Sequence, residues 1–228
     1  MIPLGDSTKL RKPSLVTPIL IWINCIVFVY VLFKGPTLSF YATKWGLIPL
    51  RIQEALSFLP IISPVFLTFL TCLFLHGGLW HLISNMLFLW IFGDNVEERM
   101  GKIMFLVFYL IGGIIASLTQ FWQNPISRTP MIGASGAISA VLGAYIVLFP
   151  GATINTVFPI FFFPLLINLP ALFFVVFWFG NQILNAYMGS PGVGWWAHIG
   201  GFLFGLLCAL LVKAVSRTQN DREVIYPS

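Results

Sequence analysis

Charge is what this sequence has least of. Only 8% of its 228 residues are Asp, Glu, Lys or Arg, seven of them acidic and twelve basic. With so few charges and a mean hydropathy of +0.94, the chain cannot keep a water-facing surface, which excludes an ordinary soluble enzyme or binding domain. Cysteine is scarce as well. Cys25, Cys72 and Cys208 lie in apolar stretches with no CxxC among them, which argues against both a disulfide framework and a thiolate zinc site. The basic residues are scattered at helix ends without forming a basic face, so no nucleic-acid partner is expected, and the net charge of +5 reports on membrane sidedness instead. The alternation of a transmembrane barrel is missing too, which leaves helices as the form in which apolar runs can satisfy their backbone in lipid.

What is present is apolar length: 58% of the residues are hydrophobic. Glycine and proline punctuation divides the chain into six predicted spans, near Leu15–Phe33, Leu79–Val96, Ile103–Trp122, Ser135–Phe149, Leu165–Tyr187 and Trp195–Val215. The expected fold is an all-α integral membrane protein, a six-transmembrane-helix bundle at 15–215 with tails at 1–14 and 216–228. Leu15–Phe33 gives 19 residues after a basic flank with no small-x-small cleavage site, so it reads as a retained helix. The segment Lys34–Gly78, with Pro36, Pro49, Pro60 and Pro64, reads as a structured loop lying partly in the membrane interface.

Six spans put both termini on one side. Lys9, Arg11, Lys12, Arg99, Lys102, Lys213, Arg217 and Arg222 fall on that side, against Lys34, Lys44, Arg51 and Arg128 on the other, which makes the termini cytoplasmic. A compact chain with no transit-peptide pattern points to a multi-pass protein of a bacterial plasma membrane. Spans two, four and six then begin at the outer face.

Each of those three helices opens on polar residues: His76, His81 and Asn85 at span two, Ser135 at span four and His198 at span six. Polar groups are costly in a bilayer, so a cluster at one depth is a functional signal. His81 and Asn85 are four apart and share a helix face, while Gly77 and Gly78 set His76 apart from them. Gly201 and Gly205 on span six, and Gly136, Ala140 and Gly143 on span four, give slim faces that let two backbones approach and bring Ser135 towards His198. The 15 residues from Ser135 to Phe149 reach only about 22 Å against a hydrocarbon core of about 30 Å, so the serine sits below the surface.

A serine hydroxyl becomes a nucleophile when a base takes its proton, and His198 is the base on offer. His81, Asn85 and the backbone N–H groups at Ser135 are the candidate donors to an oxyanion. No carboxylate completes a triad. His76-x4-His81 is not HExxH and lacks an acid, so no metal is expected; Asp94 has no second intramembrane aspartate to pair with; no cofactor is called for. Trp80, Trp195 and Trp196 fit an aromatic belt, and Asn155, Asn168, Asn181 and Gln182 fit interhelical hydrogen bonds.

At these residues the chain resembles the rhomboid family of intramembrane serine proteases. The likeness rests on GxSG at Gly133-Ala134-Ser135-Gly136, HxxxxHxxxN at His76, His81 and Asn85, and AHxxGxxxG at Ala197, His198, Gly201 and Gly205; Glu97 falls in a turn similar to the family's GxxxExxxG. The resemblance implies Ser135 as nucleophile, His198 as general base, His81 and Asn85 at the oxyanion, His76 in support and span five as a lateral gate. It implies transmembrane protein substrates, single-span and cut near the outer face of the lipid bilayer. Two positions depart from the pattern: Ser139 stands where many relatives have a tyrosine packing on the histidine, and the first loop lacks a Trp-Arg pair near Val65-Phe66. The alternative is a non-catalytic rhomboid-like protein that binds or escorts transmembrane helices. A transporter is disfavoured, because no repeat is visible and the polar groups gather towards one face.

Overall fold

The computed structural model describes residues 1–8, 10, 12–34, 37–58, 63–160 and 163–225. Lys9, Arg11, Pro36, Pro60 and residues 226–228 of the expected tail lie outside these. A strand β1 (Ile2–Asp6) precedes helix α1 (Val16–Phe33). The following loop holds α2 (Leu38–Trp45), α3 (Pro49–Phe58) and the single turn α4 (Thr68–Thr71), flanked by 3-10 turns at Pro64–Leu67 and Cys72–Phe74. Then come α5 (Leu79–Met100), α6 (Lys102–Gln123), α7 (Ser135–Leu148), strands β2 (Thr153–Ile160) and β3 (Phe163–Pro170), α8 (Ala171–Met188) and α9 (Trp195–Ile225).

Among the described residues six helices, α1, α5, α6, α7, α8 and α9, correspond to the six predicted spans, and they differ in how fully their length covers a bilayer. Among the described residues four helical stretches are long and apolar enough to cross a membrane: α1, α6, α8 and Trp195–Ala214 of α9. A fifth arises if Pro64–Phe74 and α5, bent by 80° at the break between them, count as one broken span. The remaining helix, α7, has 14 residues and reaches only about 21 Å at the helical rise.

That short helix is the axis of the bundle. Every residue from Gly136 to Tyr145 is buried, so α7 has no lipid-facing side, as befits a helix that is apolar all round. Its small residues let neighbours in. A Cβ on Gly201 would stand 2.2 Å from the Gly136 carbonyl oxygen, and one on Gly143 would stand 2.1 Å from that of Phe202, so α7 and α9 touch backbone to backbone. On another flank, a Cβ on Gly112 of α6 would fall 2.8 Å from Ala140 Cβ.

A three-stranded antiparallel sheet, order β1-β2-β3, departs from the all-helical expectation. Span five was expected from Leu165, yet Phe163–Pro170 pairs antiparallel with Thr153–Ile160, Thr153 opposite Pro170 and Val157 opposite Leu166. The physical reason lies in the residues: Pro159, Pro164 and Pro170 interrupt helix hydrogen bonding, and Thr153, Ile154, Thr156 and Val157 are β-branched. Helix α8 can start only after Pro170, at Ala171. The expected N-terminal tail supplies the third strand, with Ile2 opposite Val157 and Asp6 opposite Ile154. The Asp6 carboxylate accepts hydrogen bonds from Tyr145, Thr8 and Asn95, fixing the sheet to the ends of α7 and α5 remote from Ser135.

Glu97 works at that same remote end. Its carboxylate accepts from the backbone N–H groups of Leu15 (2.7 Å), Val16 (2.9 Å) and Thr17 (2.7 Å). These belong to the start of α1, where N–H groups have no helical partner and the helix dipole favours a negative charge.

Candidate active site

The approach to α7 is set by Gly133. Its φ of +124° is a conformation that side chains rarely adopt, and a Cβ there would lie 2.8 Å from His81 Nε2. Ala134 follows as the N-cap with no side-chain cap, and the first helical bond runs from Ile138 N–H to the Ala134 carbonyl at 3.0 Å. The N–H groups of Ser135, Gly136 and Ala137 therefore have no helical partner and gather at the positive end of the helix.

Ser135, half-buried as the first residue of α7, stands with its Oγ 2.8 Å from Nε2 of His198. His198 lies one turn into α9 and is buried. The small-residue contact between α7 and α9 is what sets this distance, since bulkier residues at Gly136 or Gly201 would part the helices. The other ring nitrogen, Nδ1, is 2.8 Å from Oε1 of Gln182 on α8. Gln182 is itself buried and donates from Nε2 to the carbonyl of Trp178 at 2.9 Å. The imidazole packs against two indoles, tilted on Trp178 at 6.0 Å between centroids and edge-on to Trp195 at 6.1 Å. Ser139 turns its hydroxyl to the Ser135 carbonyl of its own helix at 2.6 Å.

His81 accepts from the Gly77 N–H at its Nδ1 (3.2 Å), so the neutral ring carries its proton on Nε2, the atom that faces Gly133. Asn85 donates from Nδ2 to the His81 carbonyl at 3.0 Å; an amide has a second N–H, which that bond leaves over. His76 is not brought onto Ser135. It is buried, edge-on to His81 at 5.1 Å between centroids, and its ring nitrogens have no hydrogen-bond partner among the described residues. Glu97 belongs to the opposite end of α5. Among the described residues no group of three His, Cys, Asp or Glu is placed to hold a metal.

Two clefts meet at Ser135 and His81. One, of about 670 Å³, runs past Gly133, Gln120 and Trp195; the other, of about 720 Å³, is lined by Asn85, Trp178, Gln182 and His198. A hydroxyl hydrogen-bonded to an imidazole, at the mouth of clefts and beside free N–H groups, is equipped for acyl transfer. In the sequence Gln182 reads only as a group fit for interhelical hydrogen bonds, and Trp178 carries no motif of its own. The available signal was their spacing: four apart, on one face of a helix that must pack near His198.

A protein-family model described as "Rhomboid domain" matches residues 64–215. The chain is similar to "Rhomboid protein 1, mitochondrial" of Saccharomyces cerevisiae, 32% identical over 160 residues, covering 66% of this chain and 43% of that protein. It is 32% identical over 151 residues to "RHOMBOID-like protein 12, mitochondrial" of Arabidopsis thaliana, covering 59% and 43%. With "Presenilin-associated rhomboid-like protein A, mitochondrial" of Danio rerio it shares 32% over 136 residues, covering 58% and 34%. The chain thus spans less than half the length of these curated relatives. They correct the expectation of a bacterial plasma membrane with cytoplasmic termini, since all three are mitochondrial proteins of eukaryotes. Basic-residue counts say which side of a membrane a loop faces, and neither they nor compactness say which membrane it is.

Proposed function

Because the chain belongs to the rhomboid family, we propose that it is an intramembrane serine endopeptidase that cleaves single-span membrane proteins with a Ser135–His198 dyad. The observation that carries this reading is the 2.8 Å approach of Ser135 Oγ to His198 Nε2, inside a cavity that a peptide carbonyl can enter. His198 takes the hydroxyl proton as Oγ bonds to the carbonyl carbon. The charge that develops on the carbonyl oxygen is met by the N–H groups at the start of α7, by Nε2–H of His81 and by the spare amide N–H of Asn85. Collapse breaks the peptide bond, and the departing amine takes the proton back from His198. Water then enters and gives a proton to the same imidazole as its oxygen bonds to the acyl carbon, and the ester bond breaks as Ser135 Oγ takes that proton back from His198.

Substrate helices enter beside α8 and are cut near the bilayer face at which α5, α7 and α9 begin, since α7 is too short to hold Ser135 at the surface. The relatives' names support a mitochondrial membrane as the setting. A protein that only escorts helices gives no reason for a serine and a histidine to share a hydrogen bond.

The test is fluorophosphonate labelling of the detergent-solubilised protein beside cleavage of a single-span substrate. Label on Ser135 that vanishes in Ser135→Ala and His198→Ala, with both variants folded, is the expected result. Folded protein that captures transmembrane helices while Ser135 stays unlabelled would establish the escort instead.

A further inference from the structure

We propose that Gln182 is a positioning residue: from α8 it sets the tautomer and the orientation of His198, in the place a carboxylate takes in a triad. The inference deepens the peptidase reading of the Ser135 site and rests on it. Its geometry starts at the far side of the amide. The Trp178 carbonyl can only accept, and it lies 2.9 Å from one end of the Gln182 side chain, so that end is the NH₂. The oxygen is thereby turned to His198 Nδ1 at 2.8 Å. An amide oxygen can only accept, so Nδ1 carries the proton, and the Nε2 facing Ser135 Oγ is left with a lone pair. A serine base needs that tautomer. The opposite one would set two lone pairs against each other at Gln182 and would leave Nε2 donating to the Ser135 oxygen, with no lone pair to take its proton.

The same helix also holds the ring. Trp178 packs on the imidazole one turn before Gln182, and Ser139 spends its hydroxyl within α7. The hydrogen bond to Nδ1 and the Trp178 ring contact therefore come from one face of α8, while Trp195 of the histidine's own helix meets the ring edge-on. Unlike a carboxylate, the amide stabilises no imidazolium charge by ion pairing, so its contribution is orientation.

The experiment measures the rate of fluorophosphonate inactivation at saturating probe, and the probe's half-saturation, for the full chain and for Gln182→Met and Gln182→Glu. Methionine keeps the volume and removes the acceptor; protonated glutamate keeps an oxygen opposite Nδ1 and an O–H towards the Trp178 carbonyl. The expected result is a fall of about tenfold or more in the maximal rate for methionine with half-saturation unchanged, and a rate within about threefold of the parent for glutamate. Methionine reacting like the parent, or glutamate failing as badly as methionine, overturns the proposal and assigns Gln182 to packing. If methionine does not fold, ¹⁵N NMR of the histidines in the parent protein decides, with His198→Ala for assignment: a protonated Nδ1 on neutral His198 supports the proposal and a protonated Nε2 ends it. An unlabelled parent instead removes the peptidase reading itself.

Discussion

A Cβ built on Gly205 would stand 1.8 Å from the carbonyl oxygen of Ala140, so α9 crosses α7 with the two backbones in direct contact. Nothing flexible can yield there. Gly205→Ala is expected to push the helices apart, costing about 3 kcal/mol or more, the upper range for overpacking, and to draw His198 away from Ser135. Gly180, in α8 with open space around it, is the control: alanine there stabilises the helix by about 0.5–1 kcal/mol. Thermal unfolding in detergent, read beside Ser135 labelling, separates the two outcomes.

Glu97→Ala removes the acceptor of three N–H groups at the head of α1. A loss of about 2 kcal/mol or more is expected, and Glu97→Gln, which keeps one oxygen, should lose less. The dyad lies at the other end of the bundle, so the folded fraction of either variant should label at the parental rate. A selective loss of labelling in well-folded protein would show that Glu97 acts on the site.

Gly133→Ala places a methyl group against His81 Nε2 in a conformation strained for alanine. The strain costs roughly 1–3 kcal/mol of stability. Because His81 would be displaced from its proposed place at the oxyanion, hydrolysis is expected to fall by about a hundredfold, the scale for loss of one such donor. Initial rates on a single-span substrate, at equal folded protein, give the comparison.

His76 and His81 should respond oppositely to phenylalanine. At position 76 the ring keeps its edge-on contact with His81 and no hydrogen bond to the described residues is given up, so activity is expected to stay within about threefold of the parent. At position 81 the donor beside Gly133 disappears, and the rate should drop by at least about tenfold. Equal effects at both positions would count against the assignment of the proton to His81 Nε2.

The glycine steps at Gly136, Gly143, Gly201 and Gly205 were readable in the sequence because only a missing side chain permits such approach, and the approach of α7 to α9 follows from them. Long apolar runs likewise give α1, α6 and α9 directly. The pairing of β2 with β3 was harder to read, since Val157 to Leu166 is apolar or proline at every position, and periodicity cannot separate a strand from a helix there. Its partner β1 was hidden for another reason: strand pairing across more than 140 residues is a tertiary event that no local pattern records. The role of Gln182 depends on the rotation of α8 about its own axis, which the packing of Phe174, Trp178 and Phe179 decides. The loss of a tyrosine at position 139 was visible as a gap; that Trp178 would fill it from another helix was not.

The brevity of α7 has a pharmacological consequence. Protein inhibitors of water-soluble serine proteases offer a loop on a broad rigid body, and such a body is not expected to reach the proposed nucleophile, Ser135, at the head of a helix about 9 Å shorter than a hydrocarbon layer. Cavities of about 670 and 720 Å³ are instead on the scale of drug-sized ligands. Small, neutral electrophiles that partition into lipid are the warheads expected to reach Ser135 if it is the proposed nucleophile.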